Sequence, residues 1–184
     1  MTDTTLVLGI GNLLWADEGF GVRCVEALAA EWCLPPEVVA MDGGTQGLYL
    51  LPYVQEARRL LVFDAVDYGL APGAMKLVED GEVPRFMGAK KMSLHQTGFQ
   101  DVLAAAELTG SCPRELLLIG VQPVELEDFG GSLRPATRAC IPAAVDVAVA
   151  RLRRWGHVLV PRAAGDAAGV NADPVRLARY EEQR

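Results

Sequence analysis

Two rhythms of apolar residues alternate along the chain. "TLVLGIG", beginning at Thr5, is an apolar run closed by glycine and predicts a buried strand. "EGFGVRCVEALAAEW" behind it sets Val25, Leu28, Ala29 and Trp32 at helical spacing. The alternation continues with "EVVAM" as a strand, "GLYLLPYVQEA" as a helix with Pro52 in its first turns, and "RLLVFDAV" as a strand. "AMKLV" is a short apolar piece before a long polar connection. In "MSLHQTGFQDVLAAAELTG", Ser93 and Gln96 make a capping-box pattern, Phe99, Val102, Leu103 and Ala106 form a buried stripe, and Gly110 closes the helix. "ELLLIGVQ" reads as a central strand, "PVELEDFGGSLRPA" as a loop, and "ATRACIPAAVDVAVARLRRW" as a last helix that Pro142 kinks or starts late.

Strands alternating with helices in this way predict an α/β fold. The expected form is a three-layer sandwich, a mostly parallel twisted sheet of about five strands with helices on both faces. At 184 residues and 51% hydrophobic content, one domain over 1–160 is expected. "PRAAGDAAGVNADPVRLARYEEQR", residues 161–184, has no sustained apolar period and is expected to be a mobile C-terminal tail.

Seventeen basic against 24 acidic residues leave a net charge of -7, which disfavours nucleic acid and anionic lipid as partners. The N-terminus has no basic region, and its apolar run is too short for a signal-peptide core or a membrane span. A cytoplasmic protein without membrane insertion is expected. Cys24, Cys33, Cys112 and Cys140 form no C-x-x-C pair, which agrees with a reducing compartment and with roles as buried small hydrophobes.

"GIGNLLWADEGFGVR" looks like the glycine turn of a dinucleotide site. Gly9 and Gly11 fit that pattern, but Leu14 stands at its third glycine, no Gly-Lys-Ser/Thr follows, and Asp17 and Glu18 put negative charge where an anion would bind. No organic cofactor is expected. One reading makes Asp17 a helix N-cap and Glu18 a complement to the helix dipole; another leaves Glu18 ionised and ready for a cation.

Sites in open parallel sheets form beyond the carboxyl ends of the strands. Glu18 follows the first strand, Asp42 of "MDGGTQG" ends the second, and Asp64 of "LVFDAVD" ends the third. An acid closing so apolar a strand as that of Asp64 needs a metal or a hydrogen-bond partner. His95 falls at a helix start, where the positive terminus keeps imidazole neutral, while His157, beside "RLRRW", is expected at the surface. Glu18, Asp64 and His95 together make an O/O/N set suited to a divalent transition metal with coordination positions left open.

"LVLGIGNLLWADEGFGVR", "MDGGTQG", "LVFDAVD", "MSLHQTGFQDVLAAAELTG" and "LLLIGVQPVELEDFGGSLRP" resemble, in order and spacing, the hydrogenase maturation proteases, over nearly all the chain up to the last helix. Among these the segments are most similar to members serving membrane-bound uptake hydrogenases. The resemblance implies an endopeptidase that removes a short C-terminal extension from the large-subunit precursor of a nickel-iron hydrogenase once nickel is inserted. The family's metal-contacting glutamate, aspartate and histidine fall on Glu18, Asp64 and His95, with the nickel contributed by the precursor. Asp17 and the turn Asp42-Gly43-Gly44-Thr45 also match family motifs, the turn as a substrate-contacting or cleft-shaping loop.

The general base is left between Asp42, Asp17 and a metal-activated water. Neither Cys112 nor Ser93 has a convincingly paired base for nucleophilic chemistry. Two other readings are a metallopeptidase or amidase carrying its own zinc on the same three residues, and a non-catalytic module that holds an assembly intermediate of the large subunit.

Overall fold

The computed structural model of the protein describes residues 3–87, 94–163 and 170, without the side chains of 85–87 and 94–97. In chain order the elements are β1 (Thr5–Ile10), α1 (Phe20–Glu31), β2 (Trp32–Cys33), β3 (Val38–Gly44), α2 (Leu51–Glu56), β4 (Arg59–Ala65) and β5 (Met75–Glu79). There follow α3 (Glu82–Met87), α4 (Leu94–Leu108), β6 (Glu115–Val121), α5 (Pro135–Arg138), α6 (Ile141–Arg154) and β7 (Val160–Pro161). Short 3-10 helices at Ala16–Gly19 and Gly47–Leu50 lead into α1 and α2.

The main sheet has five strands in the order β3-β1-β4-β6-β5. All pairings are parallel except β5 on β6. β1, β4 and β6 are buried on both faces, which is why they read as unbroken apolar runs. One core, around Phe20, Leu28, Phe63 and Val145, lies between the sheet and the α1/α6 layer. A second, around Leu8, Leu60, Phe99 and Leu103, lies under α2 and α4. The expected three-layer sandwich is therefore the fold, and it points the loops after β1, β3, β4 and β6 to one end.

Several details differ from the sequence pattern. "AMKLV" is a full edge strand, and "ELLLIGVQ" lies one place in from that edge, the sheet centre being β4. The polar connection contains α3. Pro142 sits in the first turn of α6 and gives a late start, after the separate turn of α5. Gly110 ends α4 at φ +66°, with the Ser111 N–H donating to Ala106 O at 2.9 Å. The capping-box residue Ser93 lies outside the described residues.

His157 is not at the surface. It is 5% exposed, sharing a 2.7 Å hydrogen bond between its Nε2 and Thr5 Oγ1 and placing Nδ1 3.5 Å from Glu37 Oε1. Gly156, at φ +92°, turns the chain back under the amino end of the sheet, and the basic neighbours of His157 stay on α6 while the ring is carried inward.

The described structure continues past residue 160. β7 pairs antiparallel with β2, and the Arg162 guanidinium donates to Ala29 O and Trp32 O at 3.1 and 3.3 Å, capping the carboxyl end of α1. Beyond Ala163 the expected tail falls outside the described residues, except Val170. Only Cys24 is fully buried; the other three cysteines are half-buried, and all four are free thiols. Burial pushes the Cys24, Cys112 and Cys140 thiols up, which disfavours the nucleophilic thiolate.

Candidate active site

The glycines of the opening loop serve backbone contact. A Cβ on Gly9 would overlap the Gly21 carbonyl, and one on Gly21 would overlap the carbonyls of Ile10 and Phe63. The close helix-strand approach that a dinucleotide fold obtains from its third glycine is thus made by Gly21, with the longer loop 11–19 inserted ahead of it. Gly11, at φ +133°, lets the loop fold back onto the Glu18 carbonyl. Ala16 takes the left-handed conformation at φ 35°, a strained backbone immediately before the two acids.

Those two acids do different work. Asp17 is fully buried, and it makes no cap: its Oδ2 accepts the N–H groups of Val124 and Glu125 at 2.8 and 3.1 Å, and its Oδ1 accepts that of Arg134 at 2.7 Å. The N-cap reading fails because the loop after β6, and not the first turn of α1, presents its N–H groups to this carboxylate. Glu18 is half-buried, and desolvation pushes its carboxyl up to about 7. Its 3-10 turn packs on β4, the strand that ends in Asp64.

Asp64 is fully buried and stands beside Gly120 in the β4/β6 register. The Tyr68 side chain lies over Gly120, where a Cβ would overlap its hydroxyl, so this glycine makes room for the ring. Burial first, and then the Asp64 charge, push the Tyr68 hydroxyl well above the ordinary tyrosine range. It remains an O–H at working pH. Gln122 shapes the same corner: its Oε1 accepts from the N–H groups of Tyr68 and Leu70 at 2.7 and 3.1 Å, and its Nε2 donates to Asp67 Oδ1 at 3.0 Å. The sequence reading passed over Tyr68 and Gln122; "DAVDYG" and "GVQP", each directly after an apolar strand, were the available signals.

Asp42, expected to end its strand, lies two residues before the end of β3, half-buried, at the level of Gly9 in the sheet. Its carbonyl accepts Gln46 Nε2 at 3.1 Å, and Gly44, at φ 45°, turns the chain toward exposed Thr45. Gly43 is buried, and its missing Cβ leaves space for the Ile10 side chain. The 3-10 helix that follows packs on α4, where a Cβ on Gly98 would lie 3.4 Å from Gly47 Cα. The backbone of His95 is in the first turn of α4, and its side chain is outside the described residues. Among the described residues, no three His, Cys, Asp or Glu side chains stand together as a metal cage. Leu14 and Phe129 are exposed, the latter 66%, and the Trp15 and Phe129 rings lie 5.3 Å apart edge to face.

The pattern of the hydrogenase maturation protease family matches residues 22–151. The chain belongs to this family. The hydrogenase expression/formation protein HoxM of Azotobacter vinelandii is 64% identical over 179 residues, covering 97% of this chain and 86% of its own. The hydrogenase 2 maturation protease of Escherichia coli is 44% identical over 160 residues, 86% of this chain and 96% of its own. In structure, the hydrogenase maturating endopeptidase HybD of E. coli superposes with a TM-score of 0.82 at 42% identity, over 86% of this chain and 98% of that one. This hydrogenase maturation protease is therefore a peptidase on an α/β sandwich. The family match takes in Asp42, Asp64 and His95, and the loop of Asp17 and Glu18 lies just ahead of it.

Proposed function

We propose that this protease removes a short C-terminal extension from the nickel-loaded large-subunit precursor of a nickel-iron hydrogenase, in the cytoplasm. In this reading the nickel arrives with the substrate and docks on Glu18, Asp64 and His95. The observation that carries the reading is the Glu18 carboxyl pushed up to about 7 by burial, on a turn packed against the strand that ends in fully buried Asp64. A carboxyl already desolvated by burial, on the turn packed against the strand that carries Asp64, is a good seat for an incoming cation. Docking fixes the nearby scissile bond in the cleft, so the metal marks and orients the substrate.

Hydrolysis then needs a base for the attacking water and an acid for the departing amine. Asp17 has its oxygens engaged by three backbone N–H groups and holds the loop after β6 in place. That makes it a positioning residue, and the base is then Asp42 or a water on the substrate's nickel, which the Asp42→Asn variant distinguishes. The Asp42-Gly43-Gly44-Thr45 turn lines the substrate path. The Tyr68 hydroxyl, kept protonated, is a donor near Asp64.

The test is intact-mass analysis of the precursor after incubation, with and without nickel, using wild type, Glu18→Gln and Asp42→Asn. Loss of a C-terminal peptide only with nickel and only with Glu18 intact is expected. Asp42→Asn that binds the precursor and leaves it uncut assigns the base to Asp42, and undiminished cutting assigns it to the water. Cleavage indifferent to nickel would sink the recognition role. Activity lost to chelator in a sample that purifies with one equivalent of zinc would favour a resident metal, and stable capture without shortening would favour an assembly module.

A further inference from the structure

A groove of about 730 Å³ runs along the outer side of β3, from Asp42, Gly44 and Gln46 at the catalytic end to Trp32 and Arg162 at the far end, with Val170 of the chain's own C-terminal stretch forming part of its wall. β3 is an edge strand: among the described residues it pairs only with β1. The parity of its main chain follows from the register. The Thr5 N–H donates to Glu37 O at 2.9 Å, and Val7 stands opposite Ala40, so Glu37, Val39 and Met41 direct their main-chain groups at β1 while Ala40 and Asp42 direct theirs outward. The Gln46 amide on the Asp42 carbonyl confirms the outward sense of that residue.

The other edge of the sheet is guarded differently. β5 carries Lys76, set over the Tyr68 ring, and Glu79, paired with Arg151 at 2.5 Å, devices that keep a foreign strand off. β3 has no lysine or arginine along its length. At the far end of its groove the Arg162 guanidinium lies on the carboxyl end of α1, and that of Arg153 lies 5.0 Å from the centre of the Trp32 ring. In a protein of net charge -7 this end of the groove is lined by one cation, Arg162, with Arg153 set on the Trp32 ring.

Resting on the function proposed above, we infer that the groove takes the C-terminal extension of the precursor as an added antiparallel strand on β3. The extension leaves the scissile bond at the Asp42 end, exchanges main-chain hydrogen bonds with Ala40, and brings its terminal carboxylate toward Arg162 and Arg153. Strand addition recognises main chain first, with specificity in alternate side chains. The seven residues of β3 span about 23 Å, which sets the scale of the extension that can be matched.

Hydrogen exchange of the full-length protein, labelled for seconds on ice with nickel-loaded precursor or with the processed large subunit, tests this. Amide exchange in residues 38–44 should slow about tenfold or more with the precursor and not with the processed form. A precursor ligated to carry a C-terminal amide should show KM raised about two- to fivefold with kcat unchanged, the size of an exposed ion pair. Processing that proceeds with no protection of 38–44 overturns the groove assignment and leaves the protease reading intact. Ala40 protected equally in the free protein overturns it too, and gives the edge to the chain's own residues after Arg162. Neither processing nor complex formation overturns the function and this inference together.

Discussion

The two ends of the sheet treat charge in opposite ways. At the amino end, Arg59 donates to Glu115 at 2.9 Å and to Asp3 at 3.0 Å, and His157 joins Thr5 and Glu37. These charged groups are matched to neighbours across the strands. At the carboxyl end, acids gather: Asp17 and Glu18 after β1, Asp42 on β3 and Asp64 on β4. Burial moves Glu18, and Asp64 helps to move Tyr68. One end closes the fold; the other carries the acids on which the proposed function rests.

The strongest way to break this contrast is at Asp17. Asp17→Ala leaves three backbone N–H groups without their carboxylate, and should cost about 3 kcal/mol or more by denaturant midpoint and abolish processing. Asp17→Asn should recover only part, because its NH₂ faces N–H donors. Gly120→Ala comes next: the added methyl collides with Tyr68, costs about 2 kcal/mol and shifts the ring away from Asp64, read as lost stability with slower processing. At the amino end, His157→Ala should cost about 1–2 kcal/mol and leave processing at the wild-type rate per folded molecule. Slower processing there would erase the division between the ends.

Glu18→Gln sharpens the comparison through pH. The carboxyl titrates near 7 in the folded state against an ordinary 4.5, so the folded state holds the proton more tightly. The stability linked to Glu18 is whole below pH about 4.5 and is lost as pH rises through about 7. At pH 8 the variant should therefore be more stable than wild type by about 1 kcal/mol, allowing for solvent screening at a half-exposed group, with the difference vanishing below 4.5 and processing lost throughout. By the same sign, wild-type capture of nickel-loaded precursor strengthens with pH up to about 7. The smallest effect is Asp3→Asn, expected within about 0.5 kcal/mol, since the partner is an exposed ion pair.

What was legible in the chain follows from these physics. Strands buried on both faces announce themselves as apolar runs, so the layer architecture and the acid near the end of β4 could be read directly, while Asp42 was reached through the shorter apolar run of β3. β5 escaped because an antiparallel edge strand is short and largely exposed, only Val78 of its five residues being buried. Asp17 was misread because the groups it binds lie 107 to 117 residues away, a distance no local capping rule spans. His157 was judged by its charged neighbours, whereas its position depends on a turn at Gly156 that reverses the chain. Tyr68 and Gln122 matter through each other and through a gap at Gly120, which becomes visible only once β4 and β6 lie side by side.

A final consequence concerns how such a protease could vary. Asp17 grips the loop after β6 by its amides, and amides are the same whatever side chains they carry. Replacing Val124, Glu125 or Phe129 would repaint the rim of the cleft while the anchor held. The loop after β6 can thus take new side chains while its footing, held through amides, stays where it is.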